Sequence, residues 1–241
     1  MKLHCINSGS SGNCYLLESS NGEVLIIESG EKLEKVKQSL NFDISKIKGV
    51  IVSHQHLDHA KYINEYTKNG IKVYSNKSVV EKFAGETNNL IKINPNEQFN
   101  IGEFSVIPFL VRHDPTIDTF GFLLYHSEMG KVVFLTDLVY SKYMFSGINN
   151  FIIEANYDED LVKGDDSYLS SRIINSHLSV QNCIKLLNAN DLSKVNNIVL
   201  VHLSNSNSDE KKFKSMVEKE TNKTIHVADK GMIIDFNVTP F

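Results

Sequence analysis

The chain has 241 residues, of which 41% are hydrophobic and 22% are charged, and its formal net charge at pH 7 is −4. This composition predicts an ordinary globular protein, organised as one domain over residues 1–241. The small negative charge excludes a global basic field for long duplex nucleic acid, but leaves room for a local basic patch. The three cysteines lack paired spacing, which argues against a disulfide framework, and no apolar stretch approaches the roughly 20 residues of a membrane span. Because no signal-peptide pattern is present either, we expect a cytoplasmic protein that does not bind membranes.

Short apolar runs separated by turns open the chain. Three of them predict strands of a β-meander: Leu3–Asn7, Cys14–Glu18 and Glu23–Ile27. The loop SGSSGN, residues 8–13, contains Gly9 and Gly12, which allow the backbone to approach a ligand or a neighbouring strand. A turn without any function is an equally good interpretation of this loop.

The next elements alternate between helix and strand. Apolar residues at helical spacing predict an amphipathic helix over Glu31–Leu40, and Ile47–Val52 predicts a buried strand. A helix over Ala60–Lys68 and a strand over Ile71–Tyr74 follow. This order is typical of an α/β layer architecture.

The most informative stretch is HQHLDH, residues 54–59, which directly follows one of the predicted strands. Three imidazoles and a carboxylate near a core are costly to bury unless a cation holds them. Because side chains alternate along an extended segment, His54 and His56 can face one ion, whereas Asp58 and His59 can face a second. Such ligands suit zinc, iron or manganese in a water-binding site. A histidine-rich surface loop is the alternative, but it does not explain the spacing.

This stretch resembles the HxHxDH signature of the metallo-β-lactamase superfamily. The segments SGSSGNCYLLES (8–19) and LIIESG (25–30) are similar to the start of its YycJ (WalJ) branch. Members of that branch usually carry Asp where this chain has Glu28. The resemblance implies an α/β fold of the four-layer αββα sandwich type, with a dinuclear metal site at the edges of two facing sheets.

Two more polar residues follow apolar strands in the middle of the chain. The strands are predicted in pairs, Phe99–Ile101 with Phe104–Leu110 and Phe120–Tyr125 with Lys131–Leu135. His113 alone would more often be a hydrogen-bonded edge residue, but the first ion needs a third imidazole, so we assign His113 to it. Asp137 ends an apolar strand where a carboxylate is costly without a cation, and we assign it as the bridge between two ions. The family usually shows TDT at this point, whereas residues 136–138 read TDL.

A carboxylate and a histidine in the next part of the chain form a second functional pair. Glu154 lies in the apolar strand Phe151–Asn156, and residues 157–171 predict a solvated, mobile loop. His177 precedes a helix predicted over Val180–Ala189 with Ser179 as its N-cap. In ribonuclease Z enzymes, a histidine in this setting donates a proton to the leaving oxygen and a carboxylate orients it. The resemblance therefore implies these roles for His177 and Glu154, and a purely structural histidine is the alternative.

The tripeptide HLS of residues 177–179 occurs again at residues 202–204, after a strand predicted over Asn197–Val201. The resemblance implies that His202 completes the ligands of the second ion with Asp58, His59 and Asp137. The remaining predicted elements are a helix over Asp209–Lys219 and strands over Ile225–Ala228 and Met232–Phe236. The histidines outside these motifs, His4, His126 and His226, are expected to be structural or surface residues.

The resemblance implies a metal-dependent phosphodiesterase with two divalent ions, zinc or manganese. The expected metal ligands are His54, His56, Asp58, His59, His113, Asp137 and His202. The expected catalytic residues are Asp58, which with His59 allows two ions to be held with a hydroxide between them, His177 as proton donor and Glu154 as its orienting partner. The YycJ-type relatives imply a nuclease, 5′-exonuclease-like on DNA, and a homodimer. Two alternatives stay open: a cyclic nucleotide phosphodiesterase, such as a phage enzyme that destroys immune signals, and a non-catalytic metal-stabilised scaffold.

Overall fold

The computed structural model describes residues 1–85, 88–162 and 168–239, which form two seven-stranded β-sheets and helices on their outer faces. The first sheet consists of β1 (Lys2–Asn7), β2 (Cys14–Glu18), β3 (Val24–Ile27), β4 (Ile47–Ile51), β5 (Val73–Ser75), β6 (Leu90–Lys92) and β14 (Ile233–Asp235). The second consists of β7 (Phe99–Ile101), β8 (Phe104–Val111), β9 (Thr119–His126), β10 (Gly130–Leu135), β11 (Asn150–Glu154), β12 (Asn197–Val201) and β13 (Thr224–Val227). The helices are α1 (Leu33–Ser39), α2 (Leu57–Ala60), α3 (Ile63–Lys68), α4 (Lys77–Phe83), α5 (Glu159–Val162), α6 (Tyr168–Ser176), α7 (Val180–Asn188) and α8 (Glu210–Thr221), with a short 3-10 helix at Ile44–Lys46.

The two sheets share one layout. The strand orders are β14-β1-β2-β3-β4-β5-β6 and β13-β12-β11-β10-β9-β8-β7. In each sheet an antiparallel meander continues into parallel strands, β3 to β6 in the first and β10 to β13 in the second. The carboxyl ends of neighbouring parallel strands meet at one edge of a sheet, so loops that follow them lie close together.

The core lies between the sheets and under the helices. Tyr15 of the first sheet and Phe134 of the second meet edge to face, with ring centroids 5.9 Å apart. On the outer faces, Tyr66 of α3 packs on the first sheet, and Leu187 of α7 and Phe213 of α8 pack on the second. Helix, sheet, sheet and helix therefore form four layers, and the predicted αββα sandwich is confirmed.

Several local predictions need correction. The helix predicted over Ala60–Lys68 begins earlier, at Leu57, and is divided into α2 and α3. The analysis did not predict α4 and β6, although Asn76 caps α4 by accepting a hydrogen bond from the backbone N–H of Val79 at 3.0 Å. Among the described residues, no helix has both the length and the apolar character needed to cross a membrane.

The solvated loop predicted over residues 157–171 is wrong for the described part of that segment. It contains α5 and the beginning of α6. Asp158 is fully buried, where it accepts hydrogen bonds from Gln181 at 2.7 Å and from Lys212. A buried carboxylate with two donors is part of the packing, because burial without partners would be too costly. Asp165 and Asp166, which belonged to the same prediction, lie outside the described residues.

Candidate active site

The predicted site residues converge at the strand ends where the two sheets meet. His54 lies three residues after β4 of the first sheet, and His113 and Asp137 lie two residues after β8 and β10 of the second. Glu154 is the last residue of β11, and His202 directly follows β12. Both sheets therefore contribute to one cluster, and strand ends in a packed core hold these side chains rigidly.

Four side chains form a first group of possible ligands. His54, His56, His113 and Asp137 place one ligand atom each within 4.8 Å of the others. The Nδ1 atom of His56 lies 2.9 Å from Nε2 of His54 and 3.3 Å from Nε2 of His113. Asp137 Oδ2 is 3.7 Å from Nε2 of both His54 and His113. Three imidazoles and a carboxylate with this spacing are a donor set that suits a divalent cation such as zinc.

A second group shares Asp137 with the first. It consists of Asp58, His59, Asp137 and His202, again with ligand atoms within 4.8 Å of one another. Nε2 of His59 is 3.2 Å from Asp58 Oδ2 and 3.1 Å from Asp137 Oδ1. Because the Oδ1 atom of Asp137 faces this group and Oδ2 faces the first, its position suits the bridging role that the sequence predicts.

The outward-facing nitrogens of these histidines are held by neighbours that the sequence did not reveal. Nδ1 of His113 donates to the backbone carbonyl of Ser176 at 2.6 Å, and Nδ1 of His54 is 2.9 Å from the hydroxyl of Ser53. Such partners fix the ring orientation and direct the other nitrogen into the site. The partner of His113 is a main-chain atom, so no residue type in the sequence could have indicated it.

Glu28 lies at the position where the WalJ/YycJ branch usually has Asp. It is fully buried, its carboxylate lies 3.5 Å from Nδ1 of His59, and both its oxygens accept from the backbone N–H of Ser53 at 3.3 Å. The longer side chain therefore lies beside the possible ligand histidine His59 and interacts with it through charge, without a hydrogen bond to its Nδ1 atom. At the other departure, Leu138 buries its side chain in the apolar core and donates its backbone N–H to Glu154 at 3.0 Å.

The donor set fits a cation. Nδ1 of His202 donates to Glu154 Oε1 at 3.1 Å, so in the neutral ring Nε2 carries a lone pair. That lone pair faces Asp58 Oδ2 at 3.1 Å, which places two acceptors against each other. A positive charge at this point, from a bound cation or from a second proton on the ring, removes the repulsion. Two clusters of imidazoles and carboxylates with a shared aspartate are the ligands that zinc and manganese accept.

The electrostatics of the cluster lead to the same conclusion. Burial opposes ionisation of His202, but the carboxylates of Asp137, Asp58 and Glu154 raise its pKa to about 10. Burial likewise works against the carboxylate of Asp137, whose pKa the neighbouring histidines nevertheless hold well below its usual value. The buried acids are therefore ionised and need positive charge nearby.

The predicted proton-relay pair is adjacent to these groups. Nδ1 of His177 donates to Glu154 Oε1 at 2.7 Å, while the backbone N–H groups of Leu138 and Leu178 donate to Oε2 at 3.0 Å each. Burial would lower the pKa of His177, but the charge and hydrogen bond of Glu154 raise it above its usual value. Glu154 is fully buried, whereas the His177 side chain is 18% exposed. The imidazole therefore presents its remaining nitrogen, Nε2, for proton transfer while Glu154 stabilises the charged form.

The SGSSGN loop closes the other side of the site. Gly12 has φ +151°, and a Cβ atom there would lie 2.5 Å from the carbonyl oxygen of Gly30, so only glycine fits. Asn13 places its amide nitrogen 3.2 Å from Nε2 of His59, and the Ser8 hydroxyl accepts from the backbone N–H of His202 at 2.9 Å. The loop therefore packs directly against two of the possible ligand histidines, which favours a positioning role for it over a turn without function.

A cavity of about 630 Å³ lies over the cluster. Its lining includes residues from both ligand groups and the histidine of the relay pair: His56, Asp58, His113, Asp137, His177 and His202. This volume falls in the range of roughly 300–1,000 Å³ that small ligands occupy. A reacting group in this cavity would touch both possible ion positions and His177.

Comparisons with known proteins agree with this geometry. A profile of the metallo-beta-lactamase superfamily matches residues 8–149. Exodeoxyribonuclease WalJ of Streptococcus pneumoniae is 25% identical over 256 residues, covering 98% of this chain and 93% of WalJ. Exodeoxyribonuclease YycJ of Bacillus anthracis is 28% identical over 181 residues, covering 68% of this chain and 66% of YycJ. The crystal structure of YhfI from Bacillus subtilis, a metallo-beta-lactamase fold protein, superimposes with a TM-score of 0.74 at 16% identity, covering 97% of this chain and 98% of YhfI. The chain belongs to the metallo-beta-lactamase superfamily, in the branch of WalJ and YycJ.

Proposed function

We propose that this protein, a metal-dependent hydrolase, cleaves phosphodiester bonds and acts as an exonuclease on DNA. The names of WalJ and YycJ support this substrate. The observation that carries the proposal is the 2.7 Å hydrogen bond between His177 and the buried Glu154 at the wall of the cavity. Hydrolysis of a phosphodiester expels an alkoxide, a poor leaving group that must be protonated, and a supported imidazolium is a suitable acid.

The two ligand groups would hold two divalent ions, with zinc and manganese as candidates. Such ions supply Lewis acidity toward phosphate oxygens and make bound water a better nucleophile. The protein residues divide the remaining work. Asp137 would link the two groups through its two oxygens, and Asp58 and His202, whose Oδ2 and Nε2 atoms lie 3.1 Å apart, would be ligands of the second ion.

His177 acts on the leaving group in this proposal. Nδ1 stays bonded to Glu154, so Nε2 delivers the proton to the departing oxygen. Because Glu154 raises the pKa of His177, a larger fraction of the ring carries that proton near neutral pH. After product release, the ring recovers a proton from water, and Glu154 again stabilises the imidazolium.

The alternatives differ in what they require of this pair. β-Lactam hydrolysis has less need of a strong proton donor, and a non-catalytic scaffold has no need of one. A cyclic nucleotide phosphodiesterase needs the same donor, so the pair does not separate it from a nuclease. That choice depends on the substrate.

The test uses protein stripped with a chelator and then reloaded with zinc or manganese. The substrates are bis(p-nitrophenyl) phosphate, end-labelled single- and double-stranded DNA, and a panel of cyclic mono- and dinucleotides. We expect metal-dependent turnover of the nitrophenyl ester and stepwise release of mononucleotides from DNA. Absence of metal-dependent turnover on every substrate would contradict a hydrolase, and cleavage of cyclic nucleotides alone would contradict a nuclease.

A further inference from the structure

The chain contains two arginines, and both line cavities that meet at His177. Arg172 of α6 lines the cavity over the ligand groups. Arg112, which directly follows β8, lines a second cavity of about 510 Å³. His177 and Asn175 line both cavities, so the two cavities are neighbours at the histidine that we propose as proton donor. Arginine is the side chain best suited to binding phosphate through paired donors.

A third cavity of about 440 Å³ adjoins the second. Val139 and Asn182 line both, so the two cavities are neighbours. The third cavity is lined by Tyr140, Lys142 and Lys185 among others, and by no carboxylate of the described residues. In the second cavity the lining carboxylate is Glu159, which accepts a hydrogen bond from the Ser179 hydroxyl at 2.8 Å. The charged residues that line the cavities are therefore more strongly cationic in the third cavity, which lies further from the carboxylates of the ligand groups.

The cationic residues that line these cavities have contacts that position them, but no ion pair with a carboxylate of the described residues. The backbone N–H of Val139 donates to the carbonyl of Arg112 at 2.7 Å, which ties the two segments together. Lys185 donates to the side-chain carbonyl of Asn182 at 3.1 Å, and Lys142 lies 5.4 Å from the ring centroid of Tyr143. In the described ranges of the chain, no carboxylate forms an ion pair with Arg112, Lys142 or Lys185. Cations that line neighbouring cavities without a carboxylate partner among the described residues suit a polyanion.

Tyr140 adds an aromatic surface to the third cavity. Its side chain is 61% exposed, and it makes no ring contact with another described aromatic residue, unlike Tyr143, which packs on Phe109 at 5.0 Å. An exposed ring in a cavity that cations also line is typical of sites for single-stranded nucleic acid, where unpaired bases stack on aromatic side chains and cations follow the phosphates. Paired bases in a duplex could not stack in this way.

On the basis of the proposed function, we propose that the second and third cavities form a track for single-stranded DNA that leaves the site past His177. The track is defined by Arg112, Tyr140, Lys142 and Lys185. Arg112 binds the phosphate next to the scissile one, the two lysines bind phosphates further along the strand, and Tyr140 stacks on a base. A cyclic nucleotide would fill the cavity over the ligand groups and leave the track unused.

The first experiment measures how activity depends on substrate length. Steady-state kinetics on the metal-loaded enzyme use single-stranded oligodeoxynucleotides from a dinucleotide up to about 12 nucleotides, within the range of site sizes known for such grooves. Bis(p-nitrophenyl) phosphate, which reaches only the catalytic cavity, is the reference. We expect kcat/KM to rise with length through a fall in KM. If kcat/KM is the same at every length while the reference ester is still cleaved, the track is wrong and the phosphodiesterase proposal stands.

The second experiment tests the residues. In Lys142→Gln/Lys185→Gln, each lost phosphate contact should reduce the slope of log(kcat/KM) against log[salt] by about 0.7 on long strands. Tyr140→Ala should lower kcat/KM on long strands roughly tenfold or more and leave kcat/KM on the reference ester unchanged. The matched control is Lys68→Gln/Lys72→Gln, which removes two exposed lysines that line none of the three cavities and should match the wild type.

Binding provides a readout that does not depend on cleavage. Fluorescence anisotropy of a labelled strand is measured on the metal-loaded His177→Ala protein, with and without the track substitutions. We expect weaker binding when the track is altered and unchanged binding in the control. Equal losses of binding affinity in the track variant and the control would overturn the track. Absence of wild-type turnover on every substrate would overturn the proposed function as well.

Discussion

Replacement of His177 by alanine separates proton donation from metal binding. Glu154 accepts from four groups, and the substitution removes one of them. The carboxylate keeps the backbone N–H groups of Leu138 and Leu178 at 3.0 Å and Nδ1 of His202 at 3.1 Å. Since the buried charge stays largely satisfied, we expect both ligand groups to keep their geometry and the protein to bind as much metal as the wild type.

The expected loss of rate follows from the role of a general acid. Such a group contributes about 10²- to 10⁴-fold, which corresponds to roughly 2.7 to 5.4 kcal/mol at about 1.36 kcal/mol for each factor of ten. This loss should appear on DNA, whose leaving group is an alkoxide. It should be less than about tenfold on bis(p-nitrophenyl) phosphate, because nitrophenolate leaves without a proton.

The assay compares kcat/KM of wild type and His177→Ala on both substrates, with metal content measured by elemental analysis. His226→Gln is the control, because His226 lies on β13 and its ring contacts Asn197 at 3.3 Å, outside the ligand groups. A similar loss on DNA and on the nitrophenyl ester would refute proton donation. Loss of metal from His177→Ala would show that the third possible cluster, in which His177 joins Asp137, Glu154 and His202, is the one that binds an ion.

Three further predictions concern Glu154, Asp158 and the cysteines. Glu154→Gln should lower turnover of DNA as strongly as His177→Ala. Because His202 loses the same carboxylate partner, the substitution should also weaken metal binding by about 10- to 100-fold, measured in a competition with a chromophoric chelator. An unchanged metal affinity would contradict the orienting role of Glu154. Burial opposes ionisation of Asp158, but its hydrogen bonds with Lys212 and Gln181 lower its pKa. The ionised carboxylate therefore stabilises the fold above the ordinary pKa of about 3.9, and this stabilisation is lost as the pH falls below that value. The melting temperature of Asp158→Asn should therefore lie below that of wild type at pH 7 and approach it in acid, and a constant difference would refute this. Burial raises the pKa of Cys5 to about 12 and also raises those of Cys14 and Cys183, so a thiol reagent at pH 8 should label the protein only after denaturation, and rapid labelling of the folded protein would count against it.

The possible ligands could be predicted from sequence because each follows an apolar strand. His54, His113 and His202 are polar residues placed where strands of a layered α/β fold end, and such a fold brings strand ends together. The groups that orient them could not be predicted in the same way. The carbonyl of Ser176 is a backbone group, and the contact of Glu28 with His59 depends on how the segment after β3 packs against α2.

The segment after β11 was misjudged for a related reason. Its many acids favour a solvated loop when each residue is considered alone, but Asp158 is buried because Lys212 reaches it from α8, 54 residues later in the chain. A long-range donor changes the cost of burying a carboxylate, and local composition contains no information about it. The same limit applies to the SGSSGN loop, whose role became clear only from its contacts with His59 and His202.

Several residues of the site have left-handed backbone conformations, which lower the free energy of unfolding. Among the described residues, seven that are not glycine have positive φ, and three of them belong to the site: Glu28 at 69°, Asp137 at 47° and His202 at 56°. A left-handed conformation costs on the order of 1–3 kcal/mol at a residue that tolerates it poorly, and Glu28 is the least suited of the three, because Asp and His are enriched in this region whereas Glu is not. Glycine at these positions would relieve the strain but remove the carboxylates and the imidazole. Because each of the three lies immediately or shortly after a strand, the left-handed turn redirects the chain at the end of a rigid element and points the side chain into the cluster. The strain, like the buried charge, is therefore a cost of stability that a bound cation offsets, and the site should contribute to folding only when it is loaded.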